Sequence, residues 1–384
     1  MALHRKSKGK KALKAIAIIL IVIVVALAGC VATDFIGYDI NMKLAKNAEY
    51  VGSNLTPVME DGVYTFYTDK AFRVLQLTDI HIGAGAFSIG KDQKALKAVE
   101  TLIKRVRPDL VVFTGDMVYP VPFQSGTLDN KRETELLMAL LDKIGVYYAV
   151  CFGNHDTESY SLHNRNDIYE TYKTSKYCLI DKAEGVDDIN YAINVKNSSG
   201  IITQTLFMMD THSYVSGFTS QYDGLHQNQI DWYRAEVNRM NAINKAVDAN
   251  APAVKSLAFI HIPLREYETA WEEYRANNYQ DTANAKYFYG FAKEPNEKVC
   301  CSIPEDNFFE TALELGSTQG IFCGHDHVNV WSMEYKGIRL TYGMSIDHLA
   351  YIGIENEHDQ RGGTIITIDT DGSMAIEQTK LKQD

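Results

Sequence analysis

Over residues 91–107 apolar side chains recur at steps of three and four: Leu96, Val99, Leu102, Ile103 and Val106. That spacing predicts an amphipathic helix, ended by Pro108. Leu136, Leu137, Leu140, Leu141 and Ile144 predict a second helix, closed by Gly145. The period changes in the short apolar runs around them. Val63–Tyr67, Phe72–Leu77, 110–113 and 146–152 have the length and character of strands. From residue 72 on, the order strand, helix, strand, helix, strand predicts an α/β core. In such a core polar groups gather in the crevice at the carboxyl ends of the strands.

The pattern continues beyond residue 156. Residues 157–204 are polar and rich in Tyr, and read as long loops with a short helix and a strand pair around 190–195. A strand over 205–209, a helix over Gln227–Val247 and a strand over 256–260 follow, the helix with Ile230, Tyr233, Val237, Met240 and Ile243 inward. Residues 264–306 form an aromatic, polar insertion, expected as a lid or rim. A helix over 307–315 and a strand over 320–323 come next. The end reads as strands at 328–335, Ile338–Tyr342, 364–368 and the C-terminus, with turns at Lys336-Gly337 and 369–372.

The first 32 residues differ from all of this. An unbroken apolar run, 15–32, follows Arg5, Lys6, Lys8, Lys10, Lys11 and Lys14, with no acid before residue 30. Roughly 20 apolar residues span a bilayer as a helix, and basic residues ahead of such a run stay cytoplasmic. Residues 1–32 are therefore expected to be a membrane anchor or signal segment. Leu27-Ala28-Gly29-Cys30 also matches a bacterial lipobox, so an uncleaved anchor and a lipoprotein both stand as readings. Either places the catalytic domain on the outer side of the cell membrane. Residues 33–62, with Gly37, Gly52, Pro57 and Gly62, read as a stem, and 63–384 as the domain.

With 46% hydrophobic residues and only 8 Pro, the chain can bury a sizeable core and is not disordered. Net charge is −11, and the basic residues at the start hide a more acidic remainder. No duplex nucleic acid is expected as partner; a small phosphate ester and, through the N-terminal segment, a membrane are. Oligomeric state has no signature. The six cysteines form no CxxC pair; the vicinal Cys300-Cys301 could bridge to Cys178 or be reactive, with ordinary unreactive thiols the preferred reading.

Five strand-like runs end in metal-ligand residue types: Asp79-Ile80-His81, Gly115-Asp116, Gly153-Asn154-His155-Asp156, His261, and Gly324-His325-Asp326-His327. Carboxylate, imidazole and amide oxygen suit Mn, Fe or Zn. Two close ions acidify a bridging water and clamp phosphoryl oxygens. Buried polar residues satisfied by hydrogen bonds are the ordinary alternative at each position, but seven at apolar strand ends would need seven separate accidents. Asp210 and His212 end a strand and could line the cleft or be structural. His163, His226, His348 and His358 lie in polar loops and are expected in solvent.

In order and spacing these motifs resemble those of the calcineurin-like metallophosphoesterases. Phe259-Ile260-His261-Ile262-Pro263-Leu264-Arg265-Glu266-Tyr267 and Gly324-His325-Asp326-His327-Val328-Asn329 are most similar to the branch with the plant purple-acid-phosphatase-29-like and yeast Dcr-type phosphatases. The resemblance covers about residues 63–380. It implies two mixed β-sheets packed as a sandwich flanked by helices, a four-layer αββα fold. It implies Asp79, His81 and His327 on a first metal, Asn154, His261 and His325 on a second, and Asp116 bridging. It implies His155 acting on the phosphate or leaving oxygen, with Asp156 orienting it. The implied activity is hydrolysis of a phosphate ester by a metal-bridging hydroxide. A nucleotide or lipid-linked phosphodiesterase or pyrophosphohydrolase, and an inactive surface-anchored binding protein on the same scaffold, are the alternatives. Tyr119 of Gly115-Asp116-Met117-Val118-Tyr119 stands where true purple acid phosphatases carry an iron-binding Tyr. Because His81 is present, Tyr119 is expected at the rim. The region Tyr342-Gly343-Met344-Ser345 departs from the Gly-rich loop usual in that branch.

Overall fold

The computed structural model describes residues 2–186, 188–215, 221–356 and 358–382, with the backbone alone for 2–12, 23, 26, 27, 30, 31 and 355. A helix α1 (Ala2–Lys46) leads into strands β1 (Val58–Glu60), β2 (Val63–Tyr67) and β3 (Phe72–Leu77). Then come α2 (Ile89–Val106), β4 (Leu110–Thr114), α3 (Asn130–Ile144), β5 (Tyr148–Cys151) and α4 (Arg165–Tyr172). The second half runs β6 (Tyr191–Lys196), β7 (Ile202–Met208), α5 (Gln227–Val247), β8 (Ser256–Phe259), α6 (Arg265–Ala276), β9 (Ala285–Tyr289), α7 (Phe308–Leu315) and β10 (Thr318–Cys323). Strands β11 (Ser332–Tyr335), β12 (Ile338–Tyr342), β13 (Gly362–Ile368) and β14 (Met374–Lys380) complete it.

Two mixed sheets form. One has the order β14-β13-β3-β4-β5, the other β1-β2-β6-β7-β8-β10-β12-β11-β9. In the first, β3, β4 and β5 are parallel and wholly buried at β4 and β5, which is why their sequences are apolar runs without alternation. In the second, β7, β8, β10 and β12 are parallel. Leu75, Leu77, Val111, Phe113, Leu206, Met208, Leu257, Phe259 and Phe322 join one core cluster, so strands of both sheets share it. A second core lies on the outer face of the larger sheet, where α5, α6 and α7 cover it with Tyr233, Tyr267 and Phe308. Because these strands run parallel, their carboxyl ends lie at one edge of each sheet.

The residues read as a stem divide. Residues 33–46 are the last turns of α1, docked on the domain. Asp34 pairs with Arg132 in the first turn of α3, and Asn41 Nδ2 donates to Ile89 O at the start of α2 (3.1 Å). Val51 N–H then donates to Ile144 O at the far end of α3 (2.8 Å). So α1 runs parallel to α2 and α3. Mixed polarity reflects this docking, one face packing and one wet.

Among the described residues, no helix is long and apolar enough to cross a membrane. Five of the eighteen side chains in the run 15–32 fall outside them, including Leu27 and Cys30, on which the lipobox reading rests. Those described between Ile16 and Val25 are exposed.

Two other expectations change. The strand read over 328–335 begins only at Ser332, because Val328 to Trp331 form the loop that carries the chain away from His327. The insertion 264–306 contributes α6 and the edge strand β9, and Trp271 stacks on Trp331 at 5.4 Å while Tyr274 stacks on Tyr287 at 5.2 Å. Its aromatics therefore pack the insertion onto the sheet. Cys151, Cys178, Cys300, Cys301 and Cys323 are free thiols.

Candidate metal centre

All seven predicted ligands meet at the shared edge. β3 leads into Asp79 and His81, β4 into Asp116, β5 into Asn154, β8 into His261, and β10 into His325 and His327. All seven are buried. Asp79, His81, Asp116 and His325 hold φ of 51, 52, 51 and 75°. Side chains rarely adopt that left-handed region, and such strain concentrates at functional sites. The glycines of the motifs make the close approach possible. A Cβ on Gly153 would stand 2.1 Å from Asp116 Oδ1, and one on Gly324 would stand 1.9 Å from Thr78 Oγ1.

Asp116 belongs to both halves of the cluster: Asp79, His81, Asp116 and His327 converge on one point, and Asp116, His261 and His325 on another. Asp116 Oδ2 lies 3.5 Å from His81 Nε2 and 3.2 Å from His261 Nε2. His327 Nε2 is 3.4 Å from Asp79 Oδ1. Three groups surround His261 Nε2: Asp116 Oδ2, Asn154 Oδ1 at 3.1 Å and His325 Nδ1 at 3.3 Å. His261 Nδ1 faces the Thr114 carbonyl at 2.8 Å, which fixes its proton there. Asn154 turns its amide nitrogen away, donating to Tyr214 Oη at 3.0 Å. With Nδ1–H committed to Thr114, Nε2 of His261 is left facing a carboxylate and an amide oxygen. Only a proton or a cation at that point reconciles them.

The charge balance says the same. Burial pushes His261 down, but the Asp116 carboxylate outweighs it and holds the ring at about 9. Burial likewise opposes charge on His81, and Asp347 with Asp116 raises it to about 10. Burial would raise Asp116, yet His261 and His155 hold it well below the carboxylate range. His325, buried beside His261, is pushed well below the usual imidazole range. Asp116 Oδ2 and His81 Nε2 are buried without a well-formed hydrogen bond among the described residues. Buried polar atoms without partners are rare, and these fit a pair of divalent cations.

Residues 72–329 match the family model for calcineurin-like phosphoesterases. The chain belongs to that family. Its fold is that of a dimetal phosphatase from Danio rerio, with a TM-score of 0.51 at 13% identity over 82% of this chain and 98% of that one. It is 25% identical to the "Probable inactive purple acid phosphatase 28" of Arabidopsis thaliana, covering 76% of this chain and 74% of the relative. It is 29% identical to "Phosphatase DCR2" of Saccharomyces cerevisiae, over 68% of this chain and 45% of that protein.

This phosphoesterase site also holds residues that its motifs do not announce. Asp347 Oδ1 lies 3.3 Å from His81 Nδ1, and its Oδ2 3.1 Å from His327 Nδ1. Its carboxylate also accepts the N–H groups of Leu349, Ala350 and Tyr351 at 2.6 to 2.8 Å. The only advance signal was an acid soon after strand β12. The expected pairing of Asp156 with His155 is replaced by another. Asp156 accepts backbone N–H groups from Asp116, Val118 and Gly153 at 3.0, 3.1 and 2.7 Å, holding the Asp116 loop. Glu158 Oε1 is the group on His155 Nδ1, at 2.7 Å. Residue 156 is too near the turn to reach round the ring, and one residue after Thr157 is not.

Tyr119 sits at the rim, its ring 5.0 Å from His81 and 4.8 Å from His155, with its hydroxyl donated to Gln124 at 2.9 Å. Tyr222 packs edge-on to His325 at 4.2 Å and Tyr351 lies 4.1 Å from His327. Asp210 is structural, held by Arg165 through two 2.7 Å bonds. His212 stacks on His226 at 4.1 Å, away from the seven. His348 is not in solvent: it is buried and bonded to Arg361, because the loop after β12 folds back over β13.

Proposed function

We propose that the chain is a metal-dependent phosphoric ester hydrolase working with two divalent ions. Asp79, His81 and His327 would hold one, Asn154, His261 and His325 the other, with Asp116 between them. The single observation that carries this is the convergence of Asp116 Oδ2, Asn154 Oδ1 and His325 Nδ1 on His261 Nε2 within 3.1 to 3.3 Å. Bound there, such ions would supply charge neutralisation at phosphoryl oxygens and an acidified water; Mn, Fe and Zn all suit the donors.

The chain's own residues do the rest. His155 is the one imidazole at the site whose side chain is partly open, at 24%. Glu158 accepts from Nδ1–H and leaves Nε2–H to face the substrate, where it protonates the departing oxygen. Asp347 fixes the rings of His81 and His327. Asp156 keeps the Asp116 loop in its strained turn.

We further propose that α1 anchors the chain, with the domain outside the cytoplasmic membrane. Ile16, Ile18, Ile19, Leu20, Ile21 and Val22 cover more than a full turn and are all exposed. A helix apolar on every side and unburied by protein suits lipid. The name "probable inactive" carried by plant relatives keeps one rival in play, a binding protein on the same scaffold. Hydrolysis of p-nitrophenyl phosphate with added Mn, Fe or Zn separates the two. Wild type is expected to turn over, and Asp116→Asn and His325→Ala to lose at least a hundredfold. Equal rates in all three would refute the hydrolase reading.

A further inference from the structure

We propose that the mouth of the metal cluster abuts the bilayer and takes phosphate esters borne by membrane-embedded alcohols; this rests on the anchored, hydrolytic reading above and names its substrate class.

The direction of α1 comes first. It runs parallel to α2 and α3, and both begin at the edge where β3 and β4 end. That edge holds the metal cluster. The part of α1 before Asp34 therefore projects from the face that carries the site, not from the opposite one. Asp34 is level with the first turn of α3, and the apolar run ends at Ala32, two residues earlier. At a rise of 1.5 Å per residue, the run covers roughly 27 Å, close to the hydrocarbon core of a bilayer. A membrane around it would begin within a few residues of the site's own rim.

That rim is apolar. Phe123 is 92% exposed, Ile352 96% and Phe87 57%. They stand on the loops following β4, β12 and β3, which are tied into one surface. Phe87 N–H donates to Ser125 O at 3.1 Å, and Gln124 Nε2 to Ala350 O at 3.1 Å. Just beneath this surface Tyr119 packs edge-on to His81, and beside it the ring of Tyr351 lies against His327. Large apolar side chains left open beside a polar site mark a contact surface. Continuity with α1 identifies the partner as lipid.

A phosphate at the headgroup level would meet the cluster with its acyl chains still in the bilayer. In the reaction a water oxygen bonds to phosphorus and the P–O bond to the lipid alcohol breaks. The departing oxygen takes a proton from the His155 imidazolium, and the proton given up by the water restores that imidazolium. Inorganic phosphate is released and the alcohol stays in the membrane.

The test uses the full chain reconstituted in phosphatidylcholine vesicles. Phe123→Trp reports contact directly: its fluorescence over wild type should fall by more than half when the lipids carry brominated chains. No quenching overturns the proposal and leaves the rim to a protein partner. The second arm compares phosphatidic acid in the vesicles with soluble p-nitrophenyl phosphate. The double variant Phe123→Ser, Ile352→Ser should lose at least tenfold on the lipid and keep its rate on the soluble ester. An equal rate on the lipid overturns the proposal, as does a wild type active on the soluble ester but not on the lipid. A wild type inactive on both instead removes the hydrolase reading, while the quenching result still decides where the mouth faces.

Discussion

His81 Nδ1 lies 3.3 Å from Asp347 Oδ1, with both groups fully buried. The same carboxylate reaches His327, so one acid orients two of the imidazoles in the first half of the cluster. Groups behind metal ligands fix ring orientation and raise ligand basicity. Asp347→Asn is expected to weaken metal binding by about 10- to 100-fold, with the fold retained. Titration of the metal-free chain with Zn or Mn, followed calorimetrically, checks this; unchanged affinity would remove Asp347 from the site.

Glu158 and Asp156 should separate cleanly. Glu158→Gln leaves the loops in place but weakens the hold on His155. It is expected to slow alkyl phosphate esters by about a hundredfold and p-nitrophenyl phosphate much less, since that leaving group needs little protonation. Asp156→Ala removes acceptors from three backbone N–H groups and should cost about 3 kcal/mol in stability. Rates on the two esters and urea melts of both variants test the division.

Asp92 links the site to α1. It accepts from Gly83 N–H at 2.9 Å and from Ser88 Oγ at 2.8 Å, with Asn41 of α1 at 3.4 Å. Burial pushes its carboxyl up to about 7 from an ordinary 3.8, against the lowering by these donors. A raised carboxyl pKa means the folded chain keeps a proton that the unfolded chain releases. Stability from this group is present below pH 4, falls as pH rises to about 7, and then levels off. Asp92→Asn cannot lose it. The variant should gain on wild type across that window by up to about 4 kcal/mol. Urea melts from pH 4 to 8 measure the difference, and parallel curves would contradict it.

Much of this arrangement could be read from the chain. Strands β2, β3 and β12 and helix α5 have the predicted bounds, because each is a simple apolar pattern with a clear stop. The seven candidate ligands come together because each motif sits just past such a strand. What pattern could not supply was lateral contact. Asp347 and Glu158 act through side chains whose partners are distant in sequence or hidden by a turn, and an isolated acid carries no period. The docking of 33–46 was equally hidden, since a helix half on protein and half in water looks mixed. Strand β9 joins the large sheet only through β11, and nothing local marks it.

The central claim is two cations sharing Asp116. Crystals of the chain grown with Mn or Zn and measured at the metal's absorption edge test it most directly. Two anomalous peaks about 3.5–4 Å apart, one on either side of Asp116 Oδ2, are predicted. One peak, or none near that oxygen, would contradict it.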